Sequence, residues 1–372
     1  MERVSSILRQ ILKFFPRTIF DAAVKEHEAE KHAKGMTCWS QFIALLFCHL
    51  AGARSLREIV GGLAASEGKL KHLGVERAPT RSTLAYANQH RPWQLYRTVF
   101  EELVKVCQGE ARQKRRKFRF KHPLLSLDST VIPVCAAMFD WAKYVKTKGA
   151  VKVHTVLDNR SVLPQYAVIT DGKTADVQVG RTLKFAPGTI LVMDRGYEDH
   201  NWWRRLDADG VFFVSRLKDS TSYAIVEERR QPADPILRDE VIVLASDRDK
   251  ENPMRLRRIE VWLEAKQETI VFITNHLRLA ASTVADIYRD RWQIELFFKS
   301  IKQSLRLKTF IGTSENAAQT QIWTALIAMV ILRYLQLRST WPWSLVESGR
   351  RRTGFRGEGE QRSGVIPNAT PG

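Results

Sequence analysis

The pattern of apolar positions divides the chain into a helical first part and a mixed second part. Residues 1–110 predict helices, among them a buried one over CWSQFIALLFCHLAGA that ends at Gly52. Ser55 followed by Glu58 forms a capping box, which marks the start of another helix. A further helical segment, APTRSTLAYANQHRPWQLYRTVFEELVKVC, begins at Pro79 and Thr80. The first part of the chain is therefore predicted to be all helical.

Short alternating runs rich in β-branched residues predict strands after residue 122. The first is HPLLSLDSTVIPV, and the next two, GAVKVHTVLD and LPQYAVITDG, predict a hairpin. A short helix over ADVQVGRTLKF precedes the strand, Gly turn and helix of GTILVMDRGYEDHNWWRRL. Between residues 222 and 275 the runs VIVLAS, RRIEVWLEA and ETIVFITN predict further β structure.

One long helix is predicted over Ile287–Lys308, because 22 residues pass without Gly or Pro. Its apolar side chains form a core-facing stripe, and one acid lies beside that stripe in a row with two cations and a phenol. The row spans about 60° on a helical wheel. It consists of Tyr288, Arg291, Glu295 and Lys302, with Lys299 and Arg306 close by. An ordinary amphipathic helix, with Arg291 and Glu295 as an i, i+4 pair worth a few tenths of a kcal/mol, is the alternative.

The charge balance adds a polyanionic partner to this picture. Lys and Arg number 59 and Asp and Glu 40, so the net charge is +19 and the pI about 9.9. Nucleic acid is a commoner partner of such a chain than a membrane. The run RQKRRKFRFK, residues 112–121, carries seven cations in ten positions, among them Arg115, Arg116 and Lys117. It predicts a phosphate-binding strip, with a solvated linker as the alternative.

The helical segment after Pro79 carries polar side chains that suit a DNA groove or phosphates. They are Arg81, Ser82, Tyr86, Asn88, Gln89 and Arg91. A helix-turn-helix places its second helix in the major groove in this way. Polar residues on an ordinary surface helix are the alternative.

The cysteines and the apolar runs indicate a cytoplasmic protein. The four cysteines lack a C-x-x-C pair, which indicates buried thiols in a reducing compartment rather than a zinc site or disulfides. The N-terminal MERVSSILRQ lacks the apolar core of a signal peptide, and the longest uncharged runs are too short to span a bilayer. No membrane partner is expected.

Two aspartates lie within or directly after apolar strands, at positions that indicate a functional carboxylate. Asp128 lies in the middle of an apolar strand, where an acid is costly unless it is paired, hydrogen-bonded or bound to metal. Asp194 follows a four-residue apolar strand, at the carboxyl end where open sheets place their sites. A turn-capping role for Asp128 and a helix-start role for Asp194 are the alternatives.

Three motifs in this order, LDST, DRGY and Tyr-x2-Arg-x3-Glu-x6-Lys, resemble those of the DDE transposases of bacterial insertion sequences, in particular insertion-sequence family four. The resemblance covers about residues 120–335. It implies a helical N-terminal domain followed by a ribonuclease-H-like mixed sheet of the α+β or α/β class, with a β-rich insertion before the last catalytic helix. The expected segments are a helical domain (1–110), a basic linker (111–121), a catalytic domain (122–220 and 276–340), a β insertion (221–275) and a tail (344–372).

The resemblance also implies a chemistry. Asp128, Asp194 and Glu295 would bind two Mg²⁺ ions, with Mn²⁺ as a substitute, and Tyr288, Arg291 and Lys302 would contact the DNA backbone. Carboxylate oxygens suit such hard cations, and a metal pair serves phosphodiester transfer. The expected reaction nicks each transposon end, forms and reopens a hairpin, and joins the 3′-OH to target DNA. The expected partners are double-stranded terminal inverted repeats and target DNA, bound by a homodimer in a synaptic complex at the bacterial nucleoid.

Two other functions stay open at this point. One is a ribonuclease-H-like nuclease such as a resolvase, and the other is an inactive, transposase-derived DNA-binding protein. The second is favoured by the tail, which has six Gly and five Arg in residues 344–372 and predicts disorder. Family members usually continue there with an apolar helical segment, so the tail suggests a truncated or frame-shifted copy.

Overall fold

The computed structural model describes residues 8–31, 33, 35–111, 117–134, 143–145, 148–229, 234–247, 251–304 and 310–339. Its helices are α1 (Arg17–Glu26), α2 (Cys38–Ala51), α3 (Leu56–Ala64), α4 (Glu67–Leu70), α5 (Arg81–His90), α6 (Gln94–Ala111), α7 (Asp176–Gly180), α8 (His200–Ala208), α9 (Ala281–Asp290), α10 (Trp292–Ser304) and α11 (Glu315–Arg338). Its strands are β1 (Leu124–Val134), β2 (Lys143–Val145), β3 (Lys148–Asp158), β4 (Leu163–Asp171), β5 (Ile190–Met193), β6 (Phe212–Arg216), β7 (Tyr223–Glu228), β8 (Ile236–Leu244), β9 (Arg255–Leu263) and β10 (Glu268–Thr274).

Local chemistry fixes the ends of the N-terminal helices. The hydroxyls of Thr37, Ser55 and Thr80 accept backbone N–H groups at the starts of α2, α3 and α5. Gly52 ends α2 with φ at 72°, a left-handed conformation that favours glycine. The helix starts at Ser55 and Thr80 and the helix end at Gly52 were all predicted from the sequence.

The described strands form one ten-stranded sheet in the order β2-β3-β1-β5-β6-β10-β9-β8-β7, with β4 paired to β3. Strands β1, β5 and β6 run parallel, while β3 is antiparallel to both β1 and β4. The order β4-β3-β1-β5-β6 with these directions is the ribonuclease-H-like arrangement, which confirms the expected fold class.

The segment expected to be a β insertion extends this same sheet. Strand β10 pairs antiparallel with β6, and β9, β8 and β7 follow it in turn. The described residues between 221 and 275 therefore continue the sheet edge to edge and do not stack on it as a separate layer.

Alternation along the strands gives the sheet two apolar faces. Leu125, Leu191 and Phe213 pack with the tryptophans of α8 on one face. Leu124 and Val192 pack with Val284 and other residues of α9 on the opposite face. Since side chains two residues apart share a face, Asp128 lies on the α9 side of β1 together with Leu124.

The helical N-terminal segment shares its core with the end of the chain. Apolar side chains of α2 and α6 form one cluster with those of α10 and α11. The ring of His49 on α2 also hydrogen-bonds Thr324 on α11 over 3.0 Å. The expected boundary near residue 110 therefore separates segments of the chain and not hydrophobic cores.

Helix α11 is the described helix long and apolar enough to cross a membrane by length and composition. Most of it is buried inside the protein, as the core helix of a soluble protein is. Cys38, Cys48 and Cys107 are buried free thiols, as predicted, and Cys135 lies outside the described residues.

The prediction of one continuous helix from Ile287 to Lys308 is wrong. Helix α9 ends at Asp290 and α10 begins at Trp292, so the α-helical hydrogen-bond pattern is interrupted at Arg291, whose backbone keeps helical dihedral angles. The apolar periodicity continues across the break, because both helices bury their stripes in the protein interior. Buried polar contacts of Asp290, described below, are what interrupt the helix.

Candidate active site

Two of the predicted acids lie side by side at one edge of the parallel strands. The last register pair between β1 and β5 joins Leu127 to Met193. The next residues along the chain are Asp128 and Asp194, so both follow the same point of the sheet. The carboxyl ends of parallel strands are where such sheets place their sites.

Glu295, the third acid, reaches this edge through the break at Arg291. The Arg291 guanidinium donates from Nη1 to Asp128 Oδ2 over 2.9 Å and from Nη2 to Glu295 Oε1 over 2.6 Å. The Arg291 side chain is only 14% exposed, against 17% for Asp128 and 33% for Glu295. One largely buried cation therefore joins the acid of a strand to the acid of a helix.

Electrostatics at Asp128 reflect this crowding. The pKa of Asp128 is raised to about 6, chiefly because burial penalises the charged carboxylate. Arg291 and the N–H of Ser129 act in the opposite direction, and the neighbouring carboxylates of Asp194 and Glu295 add to the rise. A site that accumulates negative charge in this way is stabilised by cations.

The donor set suits a divalent metal ion, although the acids are not arranged around one. No three His, Cys, Asp or Glu side chains within the described ranges are grouped closely enough to hold a metal ion. Asp194 caps the turn that follows it by accepting the N–H of Gly196 over 2.9 Å. Carboxylates are the ligands that hard divalent cations prefer. In this structure the positive charge between two of them is the Arg291 guanidinium.

The other residues of the predicted row surround this centre. Tyr288 is half-buried, packs on Phe272 at 4.9 Å between ring centroids, and lies under the Arg291 guanidinium at 5.5 Å. Lys302 is half-exposed on α10, seven residues after Glu295 and so on the same face of the helix. Lys299 is exposed on the same helix. Arg306, together with Arg115 and Arg116, lies outside the described residues.

Lys117, which was predicted to contact a phosphate, is exposed and is paired with an acid of the protein itself. Its Nζ donates to Asp290 Oδ1 over 2.6 Å, and the Asp290 side chain is only 4% exposed. The ammonium compensates a buried carboxylate that would otherwise be costly. Arg119 and Lys121, later in the same run, are exposed.

Two polar residues predicted to face DNA from α5 instead hold that helix in place. Asn88 is buried and its side chain accepts from Gln41 Nε2 over 2.9 Å. Arg91 donates to the Gln41 side chain and to the carbonyl of Met36. Four of the predicted side chains, Arg81, Ser82, Tyr86 and Gln89, are exposed on α5.

A tyrosine that the sequence did not single out lies beside the acids. Tyr197 is 1% exposed, and its hydroxyl has no hydrogen-bond partner in the part of the chain that the structure describes. Burial raises the pKa of Tyr197 well above its ordinary value, and the carboxylates of Asp176, Asp128 and Asp194 add to the effect. Its place in the DRGY motif was the signal that could have drawn attention to it.

A buried polar network on the α9 side of β1 was missed as well. Asn159, in the turn after β3, contacts both Ser126 on β1 and Asp290 at the end of α9. An Asn in a turn is common for local reasons, so the sequence carried no signal for this role.

Comparisons with known proteins show which proteins this chain is similar to. Residues 119–331 match the family described as "Transposase DDE domain", and residues 3–76 match a "Domain of unknown function (DUF4372)". The chain is 35% identical over 262 residues to the "Putative transposase y4zB" of Sinorhizobium fredii, covering 69% of this chain and 71% of the relative. It is 30% identical over 257 residues to the "Probable transposase for insertion sequence element IS5377" of Geobacillus stearothermophilus, covering 68% of this chain and 67% of the relative.

A solved piggyBac transposase synaptic complex with hairpin DNA aligns at 10% identity with a TM-score of 0.47, covering 93% of this chain and 78% of that one. The fold assignment above rests on strand order and direction instead.

The ribonuclease-H-like fold, with acids at one edge of its parallel strands, is typical of polynucleotidyl transferases. The family match spans more than half of the chain, and the chain belongs to the DDE transposases. It is thus a transposase of the insertion-sequence type, an enzyme of DNA cleavage and strand transfer whose family uses divalent metal ions.

Proposed function

We propose that Asp128, Asp194 and Glu295 are the metal-binding carboxylates of this transposase. Together these three carboxylates would hold two Mg²⁺ ions, with Mn²⁺ as a substitute. When bound, such ions neutralise the charge of the reacting phosphate and activate the attacking oxygen. Oδ1 of Asp194 accepts from the Gly196 N–H, and the carboxylate has a second oxygen that would serve as the metal ligand.

The observation that carries this proposal is the shared contact of Arg291 with Asp128 and Glu295. Asp128 on a strand, 163 residues before Arg291 in sequence, and Glu295 on a helix present their carboxylates to this one cation. If the i, i+4 pair of Arg291 and Glu295 only stabilised the helix, no contact between Arg291 and Asp128 would be required. When DNA binds, the planar fork of Arg291 is suited to move from carboxylate to phosphate oxygens, because both accept its N–H groups in pairs.

The surrounding cations and the N-terminal helices supply the DNA contacts of this proposal. Lys302, Lys299 and the Tyr288 hydroxyl would follow the cleaved backbone, and the exposed face of α5 would read the terminal inverted repeats. The chain would act as a homodimer in a synaptic complex that joins these repeats to target DNA at the nucleoid.

Strand cleavage in vitro tests the proposal. We expect the purified chain to cut a duplex that carries the inverted repeats of its own element in Mg²⁺ or Mn²⁺, and to lose this activity in a chelator. Joining of the new 3′-OH to a second duplex separates a transposase from a nuclease, which only cuts. Specific binding without cutting under all metal conditions would show an inactive descendant and refute the proposed chemistry.

The salt dependence of DNA binding tests the basic segment. Arg119→Gln with Lys121→Gln removes two exposed cations, so the slope of log K against log salt should become shallower by about one to two. The loss should be equal for specific and random DNA, because phosphates carry no sequence information. Lys105→Gln is the matched control, since that exposed lysine is already paired with Glu102. An unchanged slope in the double variant would make the segment a mere linker.

A further inference from the structure

The break at Arg291 is tied to the strand that carries Asp128 by buried polar contacts. The carboxylate of Asp290 accepts from Asn159 Nδ2 over 3.0 Å, and the Asp290 backbone carbonyl accepts from the same amide over 3.1 Å. Asn159 Oδ1 in turn accepts from Ser126 Oγ over 2.8 Å. A continuous chain of hydrogen bonds thus runs from Ser126 on β1 to the end of α9.

These hydrogen bonds lie next to the proposed metal-binding acids. Ser126 and Asp128 are two residues apart on β1 and point to the same face of the sheet. Asp290 and Arg291 are consecutive. The helix break is therefore attached to one strand at two neighbouring points, Ser126 through Asn159 and Asp128 through Arg291.

The network is nearly sealed from solvent. Ser126 is fully buried, Asn159 is 8% exposed and Asp290 is 5% exposed. The backbone N–H of Asn159 also donates to the carbonyl of Leu124 over 3.0 Å, so the backbone that carries this amide side chain is itself anchored to β1. Bonds buried in this way are costly to leave unmade, and this fixes their geometry.

We infer that Asn159 and Asp290 are positioning residues, which set the distance of Arg291 and Glu295 from Asp128. The inference rests on the proposed metal-binding role of the acids and adds the device that holds them in register. Lys117 completes the device by neutralising the buried charge of Asp290. Neither Asn159 nor Asp290 contacts the acids, so each would act only through the backbone it fixes.

Hydrogen bonds that orient metal ligands without contacting the metal affect the metal affinity as well as the cleavage rate. Loss of such supporting contacts costs roughly 10-fold to 100-fold in metal affinity or activity. Asn159→Ala should therefore weaken Mn²⁺ binding to the DNA-free protein by about that factor, measured by calorimetry or by electron paramagnetic resonance of free Mn²⁺. Cleavage per folded molecule should fall in parallel, whereas DNA binding in a gel shift should stay unchanged.

The matched control is Asn316→Ala. Asn316 Nδ2 also donates to two backbone carbonyls, those of Asn88 and Arg91, at 2.8 and 2.7 Å, but it joins α11 to α5 away from the acids. We expect Asn316→Ala to lower the melting temperature as Asn159→Ala does, with Mn²⁺ affinity and rate per folded molecule unchanged. Ser126→Ala is the milder second variant, in case Asn159→Ala does not fold, and it should weaken Mn²⁺ binding several-fold.

The results for the wild type and for the variants test the proposed function and the positioning role separately. A wild-type chain that neither binds Mn²⁺ nor cleaves would overturn the proposed function itself. A wild type that does both, beside Asn159→Ala and Ser126→Ala variants of wild-type affinity and rate, would overturn the positioning role alone. Weakened Mn²⁺ binding in these variants but not in Asn316→Ala supports the inference.

Discussion

Glu295→Gln is expected to abolish strand cleavage and leave DNA binding intact. Glutamine keeps the length of the side chain and one acceptor for Arg291 Nη2, which now lies 2.6 Å from Glu295 Oε1. It removes the negative charge that a divalent cation requires of this ligand. The rate should fall by about a thousandfold or more, the scale lost when a charge that stabilises the transition state is removed. Single-turnover cleavage with a gel shift on the same DNA measures both effects.

Glu227→Gln is the matched control for this variant. Glu227 is an exposed carboxylate on β7 that accepts from Arg255 Nη2 over 2.9 Å, so its substitution also removes one acid from an arginine pair. We expect wild-type cleavage from it. If Glu295 only stabilised its helix through the ion pair with Arg291, Glu295→Gln would cost a few tenths of a kcal/mol of stability and leave cleavage activity unchanged. An active Glu295→Gln enzyme would end the proposed mechanism.

Two of the three proposed metal-binding acids stood out in the sequence because each broke a local rule. Asp128 interrupts an apolar strand, and Asp194 ends one, so burial without a partner would be costly at either place. The strands themselves followed from alternation, and the resemblance supplied their order. Bringing Glu295 to the same edge needed the motif spacing, since nothing in its own helix pointed towards β1.

The break at Arg291 could not be foreseen in the same way. Apolar periodicity runs on through both helices, and no Gly or Pro marks the boundary. What interrupts the helix is tertiary: Asp290 is held by Asn159 and Lys117, which lie 131 and 173 residues away in sequence. The pairing of Lys117 with Asp290 could not be foreseen either, because an isolated basic run carries no sign of a buried acid elsewhere.

Arg291→Lys should slow cleavage while tightening metal binding, two effects of opposite sign. Lysine keeps the charge, but its single ammonium cannot hold Asp128 and Glu295 on two parallel donors as the guanidinium does. The carboxylates are then less well neutralised, so Mn²⁺ should bind several-fold more tightly to the DNA-free protein. Cleavage should fall by about a hundredfold, because the bidentate clamp on the phosphate is lost at the same time.

Arg289→Lys controls for the loss of an arginine at this place in the chain. Arg289 lies two residues earlier, has a side chain that is 76% exposed, and pairs only with Asp286 at 3.1 Å among the contacts described. Its substitution should change neither Mn²⁺ affinity nor rate. Weaker Mn²⁺ binding in Arg291→Lys would mean that the arginine assists the metal instead of standing in its place. A wild-type rate would mean that a point charge suffices and that the fork has no catalytic use. The sign of the change in Mn²⁺ affinity also separates Arg291, which competes with the cation, from Asn159, whose loss should weaken binding by letting Glu295 drift from Asp128.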